Sequence, residues 1–161
     1  METEDDILTV GKPLYLITST QNCWKCRKAQ SVIALASPTV EEGDVECIDS
    51  ETTDAALSLI LCDITEMPSH LLKMINSFHP AYRKHASKTA GRTYYANFCA
   101  CGANFGDHFL FMEPGGAFFP MGPEDASSMT VRELPIEHSV KLRGSFCQGA
   151  EDLIFENAKR V

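Results

Sequence analysis

Cys23-Trp24-Lys25-Cys26 makes one tight cysteine pair near the start of the chain, and Cys99-Ala100-Cys101-Gly102 makes a second after its middle. Four thiols in two short clusters are the donor set that tetrahedral Zn²⁺ takes in structural sites, each pair wrapping backbone round one side of the ion. Cys23, Cys26, Cys99 and Cys101 are therefore candidate ligands of a structural zinc, in a zinc-knuckle or ribbon-like site. A knuckle needs a sharp turn that aims amides at sulfur, and a glycine after the second cysteine eases it. Cys101-Gly102 meets that requirement and Cys26-Arg27 does not. The second pair also has one intervening residue where two are usual. His108, seven residues beyond Cys101, is an alternative fourth ligand, and a metal-free chain is the remaining reading.

Ahead of the first pair, residues 13–18 read as a strand that ends at a polar turn, Ser19-Thr20-Gln21-Asn22, and delivers Cys23. Short strands are expected at 31–36 and 45–48, and Ala56 to Ile64 is the best candidate for a central strand buried on both faces. Pro68 to Phe78 is the clearest helix, with Leu71, Met74, Ile75 and Phe78 at helical spacing and Pro80 beyond its end. Tyr82 to Ala86 and Arg92 to Phe98, separated by a turn over 87–91, read as a hairpin whose second strand runs into Cys99. Further strands are expected at His108 to Met112 and Ile136 to Phe146, a surface loop at 120–129 and a terminal helix at 150–159. The phenylalanines from Phe105 to Phe119 read as core, and Gly102 to Gly106 and Gly115-Gly116 as turns. The fold class is α+β, mainly antiparallel sheet with one or two helices, as a single domain over residues 1–161 with an acidic tail at 1–6.

The composition, 44% apolar and 22% charged, is that of an ordinary globular chain. No run of 18 apolar residues provides a membrane span. The start, Met1-Glu2-Thr3-Glu4-Asp5-Asp6, is acidic where a secretory signal is basic, so a cytoplasmic location is expected. In a reducing compartment close cysteine pairs favour metal or redox roles over structural disulfides. Cys47, Cys62 and Cys147 lie in apolar stretches and read as small buried hydrophobes. The net charge of −8 disfavours nucleic acid. Lys25, Arg27 and Lys28, and Arg83, Lys84, Lys88 and Arg92, flank the cysteine pairs, as counter-charge to a tetrathiolate of about −2.

Cys23-Trp24-Lys25-Cys26, the Tyr95-Ala96-Asn97 run into Cys99, Cys101-Gly102, Gly106-Asp107 and Glu113-Pro114-Gly115-Gly116 together carry a resemblance. Over roughly residues 14–119 the chain resembles a set of uncharacterised bacterial zinc-ribbon-like proteins. Their pattern is a Cys-Trp-x-Cys pair and a later Ala-Asn-x-Cys-x-x-Cys-Gly pair followed by Gly-Asp. The resemblance implies a metal-binding fold and no particular activity, and this chain departs from it by one missing residue in the second pair.

The function expected from these features is non-enzymatic: a zinc-stabilised module that engages another protein, with a basic partner suggested by the acidic balance. The alternative is a thiol-disulfide oxidoreductase using Cys23 and Cys26, because a C-x-x-C after a strand is also a redox placement and Met67-Pro68 falls where such folds carry a cis-proline. His70, His79, His85 and His138 read as surface or structural histidines. Asp107, beside His108, reads as a turn cap or as a residue orienting a ligand.

Overall fold

Val32 to Ser37 is an unbroken buried run, and its alternate side chains enter two different cores. That is the signature of a strand covered on both faces. In the computed structural model, which describes residues 7–44, 58–88, 91–147 and 151–161, this run lies in β3 (Ala29–Ser37). The other strands are β1 (Ile7–Val10), β2 (Leu14–Asn22), β4 (Val40–Glu42), β5 (Leu59–Glu66), β6 (Arg83–Ser87), β7 (Arg92–Phe98), β8 (Asn104–Phe105), β9 (Thr130–Leu134), β10 (Val140–Cys147) and β11 (Lys159–Arg160). Helices α1 (Ser69–Phe78), α2 (Pro123–Ser127) and α3 (Glu151–Asn157) and a π-helical turn at His108–Met112 complete the described elements.

Eight strands form one sheet in the order β11-β9-β2-β3-β5-β10-β1-β4, antiparallel throughout except for β11 beside β9. On one face Tyr15, Ile17, Val32, Ala34 and Ala36 pack with Cys23, Cys99, Phe105, Leu110, Phe118 and Ile154. On the other, Leu14, Leu16, Ile33 and Leu35 pack with Leu71 and Ile75 of α1 and with Tyr82 and Tyr95. A three-stranded sheet, β6-β7-β8, leads from the second core to the cysteines.

The mainly antiparallel α+β reading therefore holds, with β5 interior as expected. Several boundaries differ. The stretch Ser19–Asn22 continues β2 instead of turning, because all four residues pair with β3, as far as Asn22 opposite Ala29. His108–Met112 is a π-helical turn and not a strand, with Leu110 and Phe111 buried. The terminal helix stops at Asn157, and Lys159–Arg160 joins the sheet edge. Within the expected loop at 120–129, Pro123–Ser127 is helical. Strands β1, β4 and β9 carry no pattern strong enough for the sequence to reveal. The expected strand at 45–48, Cys47 and the acidic tail lie outside the described residues. No helix among the described residues is long and apolar enough to cross a membrane.

Candidate metal centre and adjoining cleft

Strand β2 ends at Asn22 and β3 begins at Ala29, so Cys23 to Lys28 is the connection of a hairpin. The Cys23 N–H donates to the Lys28 carbonyl at 2.8 Å and the Arg27 N–H to the Cys23 carbonyl at 2.9 Å. After β7 the chain repeats this closure one residue shorter: the Cys99 N–H donates to the Ala103 carbonyl at 2.8 Å, and the Gly102 N–H to the Cys99 carbonyl at 2.9 Å. The missing residue converts the wider turn into a four-residue β-turn without opening the pair. Each knuckle turns through a left-handed residue after its second cysteine, Gly102 at φ +94° and Arg27 at φ +68°. Arg27 adopts the conformation that its side chain disfavours.

The two knuckles meet sulfur to sulfur. Cys23 Sγ lies 3.7 Å from Cys101 Sγ and Cys26 Sγ 3.5 Å from Cys99 Sγ, so both of these contacts join one pair to the other. All four sulfurs fall within 4.8 Å of one another, an arrangement that could hold a metal ion. Backbone N–H groups of Lys25 and Cys26 point at Cys23 Sγ at 3.4 and 3.5 Å, and that of Cys101 at Cys99 Sγ at 3.5 Å. These donors divide the thiols. Burial would raise Cys23, but the amides of Cys26 and Lys25 and the neighbouring thiols outweigh it and draw it down to about 6. Cys99 goes the other way, up to about 12. The Cys101 amide favours its thiolate, but burial and hydrogen bonds with the Cys26, Cys101 and Cys23 thiols prevail. Trp24 ties the first knuckle down through Nε1 to the Asn104 carbonyl at 2.9 Å while its side chain stays 57% exposed.

Among the described residues this four-cysteine group is the sole His/Cys/Asp/Glu cluster with ligand spacing, and His108 is not in it. His108 instead lines a cleft of about 570 Å³ together with Cys62, Asp63, Arg92, Tyr94 and Asp107. His70 and His138 are exposed, and His85 stacks edge-on against Tyr94 and Phe98. His79 closes α1, and burial lowers its basicity. Pro68 precedes α1 as its cap, and the cis peptide bond found among the described residues is Lys12–Pro13.

The cleft owes its shape to a break in β5. That strand pairs with β3 over Leu59–Leu61 and with β10 at Cys62, but the next pair to β10 is Glu66 with Arg143. Asp63 to Thr65 thus stand opposite Gly144 alone, with Asp63 left-handed at φ +59°. A Cβ on Gly144 would lie 3.1 Å from Ile64 Cα and 3.2 Å from the Cys62 carbonyl, so glycine lets the bulge close. Two side chains satisfy the backbone released by the break. Asn97 accepts from the Ile33 N–H at 2.9 Å and donates to its carbonyl at 3.0 Å. Asp107 Oδ2 accepts from the Asp63 N–H at 2.6 Å, so this carboxyl caps a strand 44 residues away and not its own turn. Burial pushes Asp107 up to about 7, against the pull of Arg92, which is ion-paired with Asp63. Of the three cysteines read as small hydrophobes, Cys62 is buried and Cys147 half-buried, both on this cleft. The sequence signals for the cleft, a lone Asp107 and a lone Gly144, carried no such meaning before the strands were placed.

No family model, no curated protein and no solved structure matches the chain.

Proposed function

We propose that Cys23, Cys26, Cys99 and Cys101 hold one structural Zn²⁺, and that the knuckle lobe fixed by it docks a protein with an acidic face. The observation that carries the reading is the sulfur geometry. Zn–S bonds of about 2.3 Å in a tetrahedron put neighbouring sulfurs about 3.8 Å apart, and the cross-knuckle contacts are 3.7 and 3.5 Å. Four thiolates leave no open position for substrate, which favours a structural ion over a catalytic one. The redox reading of Cys23 and Cys26 has less support, because both cysteines have their close sulfur partner on the other knuckle.

The charge distribution supports the docking role. None of the 22 acidic residues lies within 7–40 or 67–106, the two segments that carry the cysteines, whereas 9 of the 14 basic residues do. Lys25, Arg27, Lys28, Arg83 and Lys84 are exposed, and among the described residues none of them is in an ion pair. Arg83 stacks 3.8 Å over Phe98, which adjoins Cys99, so the hairpin's charge borders the metal centre. Five cations exceed the roughly −2 of a zinc tetrathiolate. The overall charge of −8 suggests a basic partner, but its distribution favours an acidic one for this lobe.

Elemental analysis of untagged protein should find about one zinc per chain, and Cys99→Ser should lose it together with the lobe's fold. A fully folded, metal-free sample overturns the zinc reading, as does a Cys99→Ser protein that stays folded and cycles a Cys23–Cys26 disulfide. Replacing Lys25, Arg27 and Lys28 together by Glu should weaken binding of a polyglutamate peptide at low salt at least tenfold. Unchanged binding overturns the docking reading and leaves the zinc reading standing.

A further inference from the structure

Two irregularities of backbone meet at the 570 Å³ cleft: the β5 bulge over Gly144, which holds the left-handed Asp63, and the π-helical turn 108–112. Non-glycine strain, bulges and π-turns each cost stability and concentrate where a side chain must be aimed. Here they surround a pair of thiols. Cys62 pairs with Ser145 across the β5–β10 ladder, which makes Cys147 its diagonal neighbour on the same face, and both line the cleft. Cys62 Sγ also lies 3.5 Å from Ser145 Oγ, and Cys147 Sγ 4.0 Å from Met112 Sδ. Asp107 and Arg92 stand close enough to act electrostatically on Cys62. Neither cysteine belongs to the four-sulfur cluster.

We propose that Cys62 and Cys147 form a dithiol that reduces a small organic disulfide bound in this cleft, with Asp107 carrying a proton between the two steps. The Cys62 thiolate attacks one sulfur of the disulfide, a protein–substrate S–S bond forms, and the first substrate thiolate leaves with the Asp107 proton. The Cys147 thiol then passes its proton to the Asp107 carboxylate and attacks Cys62 Sγ. That closes Cys62–Cys147 and expels the second thiolate, which takes up the proton that Cys62 had given to water. Two protein thiols become one disulfide and one disulfide becomes two thiols, so electrons and protons balance.

The parts suit these roles. The neighbouring Cys147 thiol favours the Cys62 thiolate and, with Ser145 and Arg92, outweighs burial and the Asp107 charge, so Cys62 is the attacking thiol. A carboxyl near 7 both gives and takes a proton at neutral pH. Of the groups that face it, Arg92 on β7 pulls it down and the Asp63 N–H on β5 donates to it, while Tyr82, Tyr94 on β7 and Cys62 lie close enough to feel its charge. The cleft is of the size that holds a small molecule, and Met112, 55% exposed, stands beside Cys147.

The test uses the full zinc-loaded chain and 5,5′-dithiobis(2-nitrobenzoate), with released nitrothiolate and released zinc read together. Two nitrothiolates per chain should appear in a fast phase with the zinc retained, and peptide mass spectrometry should find Cys62 joined to Cys147. Cys147→Ser should stop at one equivalent with the adduct on Cys62. Cys62→Ser, or Cys62→Ala if the serine variant is unfolded, should slow the fast phase at least tenfold. Asp107→Asn should slow the second release about tenfold at pH 7 and flatten its pH profile. A fast phase that survives loss of Cys62, a lasting mixed disulfide in the wild type, or release matched by zinc loss overturns the proposal. Zinc content, read in the same samples, judges the metal reading separately.

Discussion

Asn97 shows how much one side chain can carry in this fold. It is 2% exposed and replaces a missing stretch of β5 by pairing both polar groups of Ile33. Asn97→Ala leaves a buried N–H and C=O unsatisfied, so it should lower stability by about 2–4 kcal/mol, readable by urea denaturation of the metal-loaded protein. Asp107 makes a prediction of opposite kind. Its folded-state pKa near 7 lies above the ordinary 3.8, so between those values the folded chain holds a proton that the unfolded chain has lost. The stability that follows from this is present at pH 4 and is lost as pH rises through 7, a loss of at most about 4 kcal/mol. Asp107→Asn keeps an acceptor for the Asp63 N–H and removes the charge. It should therefore raise the melting temperature at pH 8 relative to wild type and leave it nearly unchanged at pH 4. Neither role could be read beforehand, because Asn97 and Asp107 serve backbone groups 64 and 44 residues away.

At the scale of elements, the knuckles were legible and their symmetry was not. Cysteine spacing and Gly102 mark the second turn, but the first reads as poor because Arg27 follows Cys26. The structure puts Arg27 in the left-handed region that Gly102 occupies, so Arg27→Gly should stabilise the metal-loaded protein by about 0.5–1 kcal/mol and Gly102→Ala should destabilise it by about 1 kcal/mol. Paired thermal melts check both signs. Helix α1 was visible because Leu71 and Ile75 repeat on one face, and the β6–β7 hairpin because its turn residues separate two strand-like runs. His108–Met112 misled because four apolar residues, Phe109 to Met112, have no readable period, while the Leu110 N–H bonds back to the Gly106 carbonyl and the Leu110 carbonyl accepts from the Phe118 N–H. The short strands β1, β4, β9 and β11 owe their existence to neighbours in the sheet, and no local pattern encodes a neighbour.

For the molecule as a whole, the four cysteines clamp the β2–β3 connection to the end of β7, 73 and 78 residues apart in sequence. The structural zinc proposed for them would contribute on the order of 10 kcal/mol, comparable with the net stability of a domain. Chelation should therefore expose amides of residues 22–30 and 97–105 to hydrogen exchange, while the β2–β3 and β2–β9 core ladders stay protected longer. Uniform exchange across all of these would separate the clamp from the lobe's order. The antiparallel α+β class, helix α1, the hairpin and the four sulfurs are written locally in the chain, because apolar period, turn chemistry and cysteine spacing are local properties. That the sulfurs pair across the knuckles, that His108 faces a cleft, and that Cys62, Cys147 and Asp107 share it follow from the folded arrangement of distant segments. Those facts depend on where β5 leaves β3, and that break is set by side chains reaching in from distant segments.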